Sequence, residues 1–215
     1  MHDVIDYAKF FLKKEDKNIA NTYDGNMKLQ KLLSFADIIS FAKYNKPLFD
    51  EPVLAFENGF VVESIRQRYK YDYEGLKKDS DNFNPNFSEE EYQILNATYD
   101  IFGGLTPKEL SCLSHSFECW SEALKKGYNG FYHDKEVSIA NLSLEDDINR
   151  VLTMLDSYEK DKHSNLKKEI INGSTFILPT EPLSEELFQK IVEFSKSCPP
   201  DTYSVLIDND ELVVF

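Results

Sequence analysis

Cys112, His115 and Cys119 come nearest, by residue type and spacing, to a reactive or metal-binding site. Positions i, i+3 and i+7 share one face of a continuous helix, and two thiolates and an imidazole would bind zinc if a fourth ligand such as His133 joined them. The alternative is that both thiols lie in the core and that His115 makes a structural hydrogen bond. Because no Cys-x-x-Cys pair accompanies the three residues, we favour the alternative and assign no metal ligand.

A nucleophile and its base are conceivable in Ser114 and His115, as is a hydrolase that uses His115 with one of the cysteines. Adjacent helical residues point about 100° apart, however, so Ser114 does not face His115. The sequence also lacks a nucleophile elbow, a phosphate-binding glycine loop, a dinucleotide fingerprint and the metalloprotease helix motif. We therefore predict a protein that is not an enzyme, with no catalytic residue and no cofactor.

The charge of the chain restricts its class of partner. The 215 residues carry a net charge of −14, with 38 acidic and 24 basic side chains. Nucleic-acid binding needs a basic surface, and an anionic membrane repels an acidic protein, so we predict neither as a partner. A basic protein is the natural complement, although solubility alone also explains such a charge.

One compact basic cluster outside the N-terminal helices interrupts this acidity. Arg66, Arg68 and Lys70 lie among the aromatic residues Tyr69 and Tyr71. Basic and aromatic residues together suit nucleic acid, but the overall charge opposes that interpretation. We predict a solvated helix face whose cations pair with nearby acids.

The cysteines and the first residues indicate the cytoplasm. Cys112, Cys119 and Cys198 are odd in number and have no disulfide-framework spacing, which is typical of reduced thiols. Met1 precedes no basic and apolar signal segment. No apolar run approaches the roughly 18 residues of a membrane span, so we expect a cytoplasmic protein.

Apolar periodicity predicts a mainly α fold. The strongest helix covers Met27–Tyr44, where apolar residues occupy more than half of the circumference and indicate burial among other helices. Capping boxes at Ser88 and Thr106 predict two more helix starts. Further helices are predicted to begin near Val4, Val62, Trp120 and Ser143, with a short β element in Leu48–Val62, a turn at Asp24-Gly25, an exposed loop from Glu74 to Asn86 and irregular chain over 128–141.

The last part of the chain has a different character. We predict a main helical domain over residues 1–168 and an α+β, βαββ-like appendage over 169–215. Residues 172–215 contain eight acidic residues and two lysines. A unit this small buries little surface alone, so we expect it to dock on the main domain, on a second copy or on a partner. Its predicted elements are a strand at Ser174–Leu178, a helix at Ser184–Lys196 and a hairpin of Tyr203–Ile207 with Glu211–Phe215.

About residues 3–125 resemble the Panacea, or SocA-like, antitoxin domain. The order and spacing of four stretches match that family. Phe56 and Phe60 stand where the family has Trp and Pro, and Cys119 replaces a Pro, which concerns turn geometry more than the fold. The four stretches are Ile5–Leu12, Met27–Ala36 with its Lys-Leu-Gln-Lys-Leu-Leu run, Lys46–Glu51 followed by Ala55–Val62, and Leu113-Ser114-His115 with Trp120.

The resemblance implies a helical domain with a short β element that neutralises a protein toxin by direct contact, without catalysis. The toxin is usually encoded by an adjacent gene, and one branch of the family acts as an adaptor that delivers its toxin to a protease. We predict an antitoxin; the alternatives are a proteolytic adaptor, a counter-defence protein of a mobile element, and the hydrolase considered above.

The partner-binding residues stay unknown at this level. The family's motif residues are apolar or small, so we expect them to form the scaffold; they are Leu29, Leu32, Leu33, Gly59 and Trp120. The acidic C-terminal unit is our hypothesis for the part that sets partner specificity, and simple packing on the main domain is its alternative.

Overall fold

A computed structural model shows a mainly helical protein, which confirms the predicted fold class, and the residues that it describes also form two small sheets. It describes residues 2–14, 19–127, 145–163, 166–179, 183–197, 199, 201–208 and 211–214. The helices are α1 Val4–Lys14, α2 Tyr23–Tyr44, α3 Glu63–Asp81, α4 Glu89–Phe102, α5 Pro107–His115, α6 Glu118–Gly127, α7 Glu145–His163 and α8 Glu185–Ser197. The strands are β1 Val53–Phe56, β2 Gly59–Val62, β3 Leu166–Ile171, β4 Ser174–Pro179, β5 Thr202–Asp208 and β6 Glu211–Val214.

Helix α2 is the central element of the first compact unit, Met1–Leu155. Residues 28–40 are all buried, and α2 contacts α1, α3, α4, α5 and β2. Its Phe35 stacks on Phe102 with ring centroids 4.6 Å apart and also contacts Phe60 and Phe117. Apolar burial is the main favourable contribution to folding, and the predicted central helix is confirmed.

The start of α2 corrects the predicted turn at Asp24-Gly25. These residues lie in the first turn of the helix, which begins at Tyr23 and not at Met27. The Gly25 N–H donates to Thr22 Oγ1 over 3.0 Å. This N-cap satisfies a backbone donor that no helical carbonyl can reach, and it outweighs the turn preference of glycine.

Helix α3 shows that the predicted loop from Glu74 to Asn86 is wrong over its first half. The helix continues to Asp81 across a kink at Asp72, whose φ and ψ are −148° and 54°. The Gly75 N–H donates to Asp72 Oδ1 over 3.1 Å, so Asp72 caps the second half of the helix. The polar composition concealed this helix, which is anchored by the fully buried Leu76.

The two capping boxes and the short β element are confirmed. The Ser88 and Thr106 side chains each accept a hydrogen bond from the backbone N–H of the third helical residue. The side chains of those residues, Glu91 and Glu109, accept in turn from the backbone N–H groups of Ser88 and Thr106. Strands β1 and β2 form an antiparallel hairpin in which Val53 pairs with Val62 and Phe56 with Gly59.

The second compact unit is Asp156–Phe215, and α7 runs across the division at Leu155. Its sheet has the order β3-β4-β5-β6, with β4 and β5 parallel and the other pairs antiparallel. Helix α8 covers one sheet face around a core of four buried residues, Phe176, Leu178, Ile191 and Val205. The domain boundary predicted between residues 168 and 169 stays a prediction.

The predicted strand, helix and hairpin of this unit are confirmed, but the βαββ description lacks a strand. Strand β3, Leu166–Ile171, precedes the others and pairs with β4 through a two-residue turn. Asn172 and Gly173 form that turn with φ of 51° and 87°. An Asn-Gly pair is the strongest short-range hairpin signal, so the sequence contained the evidence for β3.

Some predictions lie outside the described residues. They are the irregular chain over 128–141, the helix cap at Ser143 and the zinc ligand His133. Within the part that the structure describes, no helix is long and apolar enough to cross a membrane.

Candidate partner-binding cleft

The lysines of the Lys-Leu-Gln-Lys-Leu-Leu run are buried and hold neighbouring backbone. Lys28 Nζ donates to the Gly103 carbonyl at 2.6 Å, at the end of α4. Lys31 Nζ donates to the Phe60 carbonyl at 2.9 Å, in β2. Lys31 is 1% exposed, and removal of its ammonium from water lowers the pKa of Lys31 to about 7. Sequence reasoning missed these buried cations because lysine is almost never fully buried.

Gln30 and Asn26 connect α2 to the hairpin and to α3. The Val62 N–H donates to Gln30 Oε1 at 2.9 Å, and Gln30 Nε2 donates to Asn26 Oδ1 at 3.1 Å. Asn26 Nδ2 in turn donates to the Arg66 carbonyl at 3.2 Å. These amide contacts fix the positions of three elements that surround one cleft.

Asp37 fixes the Pro47-Leu48-Phe49 turn. The Leu48 N–H donates to its Oδ1 at 2.7 Å, and the Phe49 N–H also favours the charged carboxylate. Burial nevertheless dominates and raises the pKa of Asp37 to about 7. The motif turn is therefore held by a buried carboxyl group, in addition to its apolar side chains.

Gly59 fits a position that a side chain cannot occupy. Its φ is +96°, and a Cβ would lie 2.7 Å from Ser114 Cβ and 2.9 Å from Lys31 Cε. Trp120 closes the same region, because its Nε1 donates to the Phe56 carbonyl at 2.9 Å. Gly59 and Trp120 thus hold the hairpin against α5 and α6, as scaffold residues would.

A cleft of about 540 Å³ opens between the start of α2, the β1–β2 hairpin and the first turns of α3. Its buried side includes Gln30 and Lys31, and its exposed side includes Tyr23 and Lys70. Tyr23 is 68% exposed, and its hydroxyl accepts a hydrogen bond from Asn58 Nδ2 at 2.8 Å. The size lies within the range of ligand-binding sites in proteins.

The cationic cluster predicted on α3 borders this cleft. Arg66 donates twice to Glu63, at 2.6 and 2.7 Å, and its guanidinium lies 5.6 Å from the Phe56 ring centre. The hydrogen bonds to Glu63 raise the pKa of Arg66. Arg68 pairs with Asp72 at 2.9 Å and with Asp79 at 3.4 Å, which confirms the predicted pairing with nearby acids for both arginines.

The structure separates Cys112, His115 and Cys119. Helix α5 ends at His115, so the three residues do not share a continuous helix. Cys112 is exposed, which contradicts its expected place in the core, whereas Cys119 is buried there. His115 stacks on Trp120 with ring centroids 4.2 Å apart. The described residues contain no group of three or more potential metal ligands.

Ser114, Asp147 and Cys119 have structural contacts in α5, α6 and α7. Ser114 Oγ donates to the Leu110 carbonyl at 2.8 Å. Asp147 accepts hydrogen bonds from the backbone N–H groups of Glu118 and Cys119, at 3.0 and 2.8 Å, and so caps α6. Burial raises the pKa of the Cys119 thiol, with the charge of Asp147 adding to the effect. A thiol held neutral in this way is a poor nucleophile.

Residues 29–121 match the family described as antitoxin SocA-like, Panacea domain. The match begins in α2 and ends in α6, so it includes the hairpin, α3, and the residues that surround the cleft from Gln30 onward. The resemblance noted in the sequence is thereby confirmed over these residues, which are similar to an antitoxin domain. No curated protein and no solved structure matches the chain.

Proposed function

We propose that this protein is an antitoxin that neutralises a protein toxin by direct binding. The match of residues 29–121 to an antitoxin family is the observation that carries the proposal. A toxin encoded by an adjacent gene is the expected partner. The net charge of −14 favours a partner with a basic surface, because complementary charge accelerates association and disfavours wrong partners.

The proposal includes the absence of catalysis. Its support is that two of the residues considered for chemistry have structural contacts: Ser114 on the Leu110 carbonyl and His115 on Trp120. Neither contact joins a nucleophile to a base, which is the pairing that nucleophilic catalysis needs.

The second compact unit is proposed to set partner specificity. On the sheet face opposite α8, Ile170 is 78% exposed and Val213 is 44% exposed. Strands β3 and β6 form the two edges of the sheet. Exposed apolar side chains beside open edges can receive a partner through packing or strand addition.

Co-expression with the neighbouring gene product tests the proposed function. We expect the wild-type chain to restore growth and to elute with the toxin as one complex in gel filtration. The lifetime of the toxin in cells with and without the protease separates steric blocking from delivery of the toxin to that protease. Loss of the toxin only where the protease is present indicates an adaptor, and growth rescue without a complex contradicts direct binding.

Surface variants test the specificity hypothesis without truncation. Ile170→Thr and Val213→Thr keep strand-forming residues but remove apolar surface. We expect the paired variant to weaken toxin binding about tenfold, with unchanged unfolding. Full affinity of the paired variant would exclude this sheet face from the binding surface.

A further inference from the structure

The cleft between α2, the hairpin and α3 has a charge opposite to that of the whole chain. Its charged lining residues are Lys31, Arg66 and Lys70 against the single acid Glu57. The chain as a whole carries −14. A local reversal of charge at a concave site is a feature that an anionic group can recognise.

Lys31 supplies the buried cation of this cleft. Its ammonium has three N–H donors, and the hydrogen bond to the Phe60 carbonyl uses one of them. Among the described residues, no carboxylate lies within ion-pair distance of Lys31. An unpaired buried charge is costly and gains from an incoming counter-ion.

Lys70 supplies the exposed cation at the outer side of the cleft. Its Nζ lies 5.0 Å from the centre of the Tyr71 ring. The pKa of Glu63 is lowered mainly by its hydrogen bond with Arg66, and the charge of Lys70 adds to that effect. Within the described chain, no carboxylate approaches it to ion-pair distance. Arg66 differs, because Glu63 already neutralises it through two hydrogen bonds. Lys31 and Lys70 are therefore the lining cations that no described carboxylate neutralises.

The remaining lining suits a peptide. Asn58 lies at the exposed side of the cleft, and its amide oxygen can accept a hydrogen bond from an extended backbone, since its hydrogen bond to Tyr23 uses only the amide nitrogen. Tyr23 and Phe56 provide aromatic surface beside it. A volume of about 540 Å³ is large enough for a few side chains of an inserted segment.

We propose that this cleft binds an extended segment of the toxin through a carboxylate, placed between Lys31 and Lys70, with a neighbouring apolar side chain against Tyr23 and Phe56. The inference rests on the proposed function and specifies the chemistry of its contact. The toxin would thus present an acidic segment to the cleft, while a basic surface elsewhere on it faces the acidic chain.

Matched lysine variants test the assignment. Lys31→Met removes the cleft ammonium, and Lys28→Met removes a buried ammonium that also donates to a carbonyl but does not line the cleft. Lys70→Met and Lys78→Met form the equivalent exposed pair on α3. We expect at least fivefold weaker toxin binding in calorimetry for each cleft variant and less than twofold change for each control.

Peptides identify the carboxylate. Overlapping peptides from the neighbouring gene product are titrated into the full chain, with each bound peptide repeated after Asp→Asn or Glu→Gln replacement. We expect at least tenfold weaker binding after one such replacement. Inorganic phosphate and citrate serve as small-anion probes, and tight binding of either in place of the peptides would overturn the assignment to a toxin segment.

Proton uptake provides a readout that a structural role would not affect. Because the pKa of Lys31 lies near 7 in the free protein, pairing with a carboxylate should make it take up protons on binding at pH 7–8. The other ionisable groups that line the cleft are Tyr23, Glu57, Arg66, Tyr69 and Lys70. Calorimetry in buffers of different ionisation enthalpy should show less uptake in Lys31→Met than in Lys28→Met.

Failure of the proposed function and failure of the cleft assignment give different experimental results. If the wild-type chain forms no complex with the toxin, the proposed function fails and this inference fails with it. If the complex forms and the cleft variants bind no worse than their controls, the inference alone is overturned.

Discussion

Two ionisable residues of the first unit have buried structural roles that are unusual for lysine and aspartate. Lys31 and Asp37 lie on the same helix, each almost fully buried and each with a pKa of about 7. The cause is desolvation in both, and their hydrogen bonds go to or come from backbone. Burial thus disfavours the charged form of both side chains, and their free-energy contributions depend on pH.

Lys31→Met should change how stability depends on pH. In the unfolded chain Lys31 keeps its proton up to its usual pKa of 10.5, whereas in the folded chain it releases the proton at about 7. Between these values the unfolded state binds more protons, so raising the pH favours the folded state. Denaturant unfolding from pH 7 to 10 should show wild-type stability rising relative to the variant, by a few kcal/mol at most.

If the free energy of unfolding changed with pH equally in the wild type and in Lys31→Met, the pKa of Lys31 would not be lowered in the folded protein. The comparison between them cancels the effect of the other titrating groups, whose changes with pH are common to both.

Gly59→Ala should destabilise the fold by about 2 kcal/mol or more, because it combines a left-handed backbone with a collision at Ser114. Gly173→Ala is the control: its φ is +87°, and nothing lies within 4 Å of the added Cβ. Urea unfolding measures both. Equal losses in the two variants would show that the close approach to Ser114 contributes nothing.

At the scale of elements, helices with strong apolar periodicity or capping boxes were predictable, and those held by single polar contacts were not. The burial of residues 28–40 follows from their apolar pattern. The extension of α3 depends on one carboxylate at Asp72 and one buried side chain at Leu76. The Asp72 cap is a local contact, whereas the burial of Leu76 depends on distant packing, which local composition does not encode.

The cleft follows the same rule. The sequence identified Arg66 and Lys70 as a basic cluster, but it did not associate them with Lys31, which lies 35 positions from Arg66. Only the packing of α2 against the hairpin and α3 brings the three together. The zinc arrangement, which the sequence did not favour, requires Cys112, His115 and Cys119 on one continuous helix, and α5 ends at His115.

Asp72→Ala should cost about 1 kcal/mol, the usual contribution of a helix cap. Asp79→Ala is a matched control, because Asp72 and Asp79 both pair with Arg68 but only Asp72 caps the following helical turn. Chemical denaturation should show a loss below about 0.5 kcal/mol for the control. A control loss as large as that of Asp72→Ala would assign the effect to the ion pair.

On the scale of the whole molecule, two compact units and a strongly acidic composition define what the protein offers to a partner. The first unit contains the antitoxin-like region and the cationic cleft. The second unit has its own small core around Phe176 and exposes Ile170 and Val213 on its sheet. Under the proposed function, both units provide surface for binding the toxin, and no chemical step is involved.

Titration of toxin activity with the purified protein tests the central claim most directly. A binder acts in proportion to its amount, so toxin activity should fall linearly to zero at a fixed molar ratio and return when the complex is dissociated. Inactivation of many toxin molecules by one molecule of this protein, or persistence of inactivation after its removal, would contradict neutralisation by direct binding.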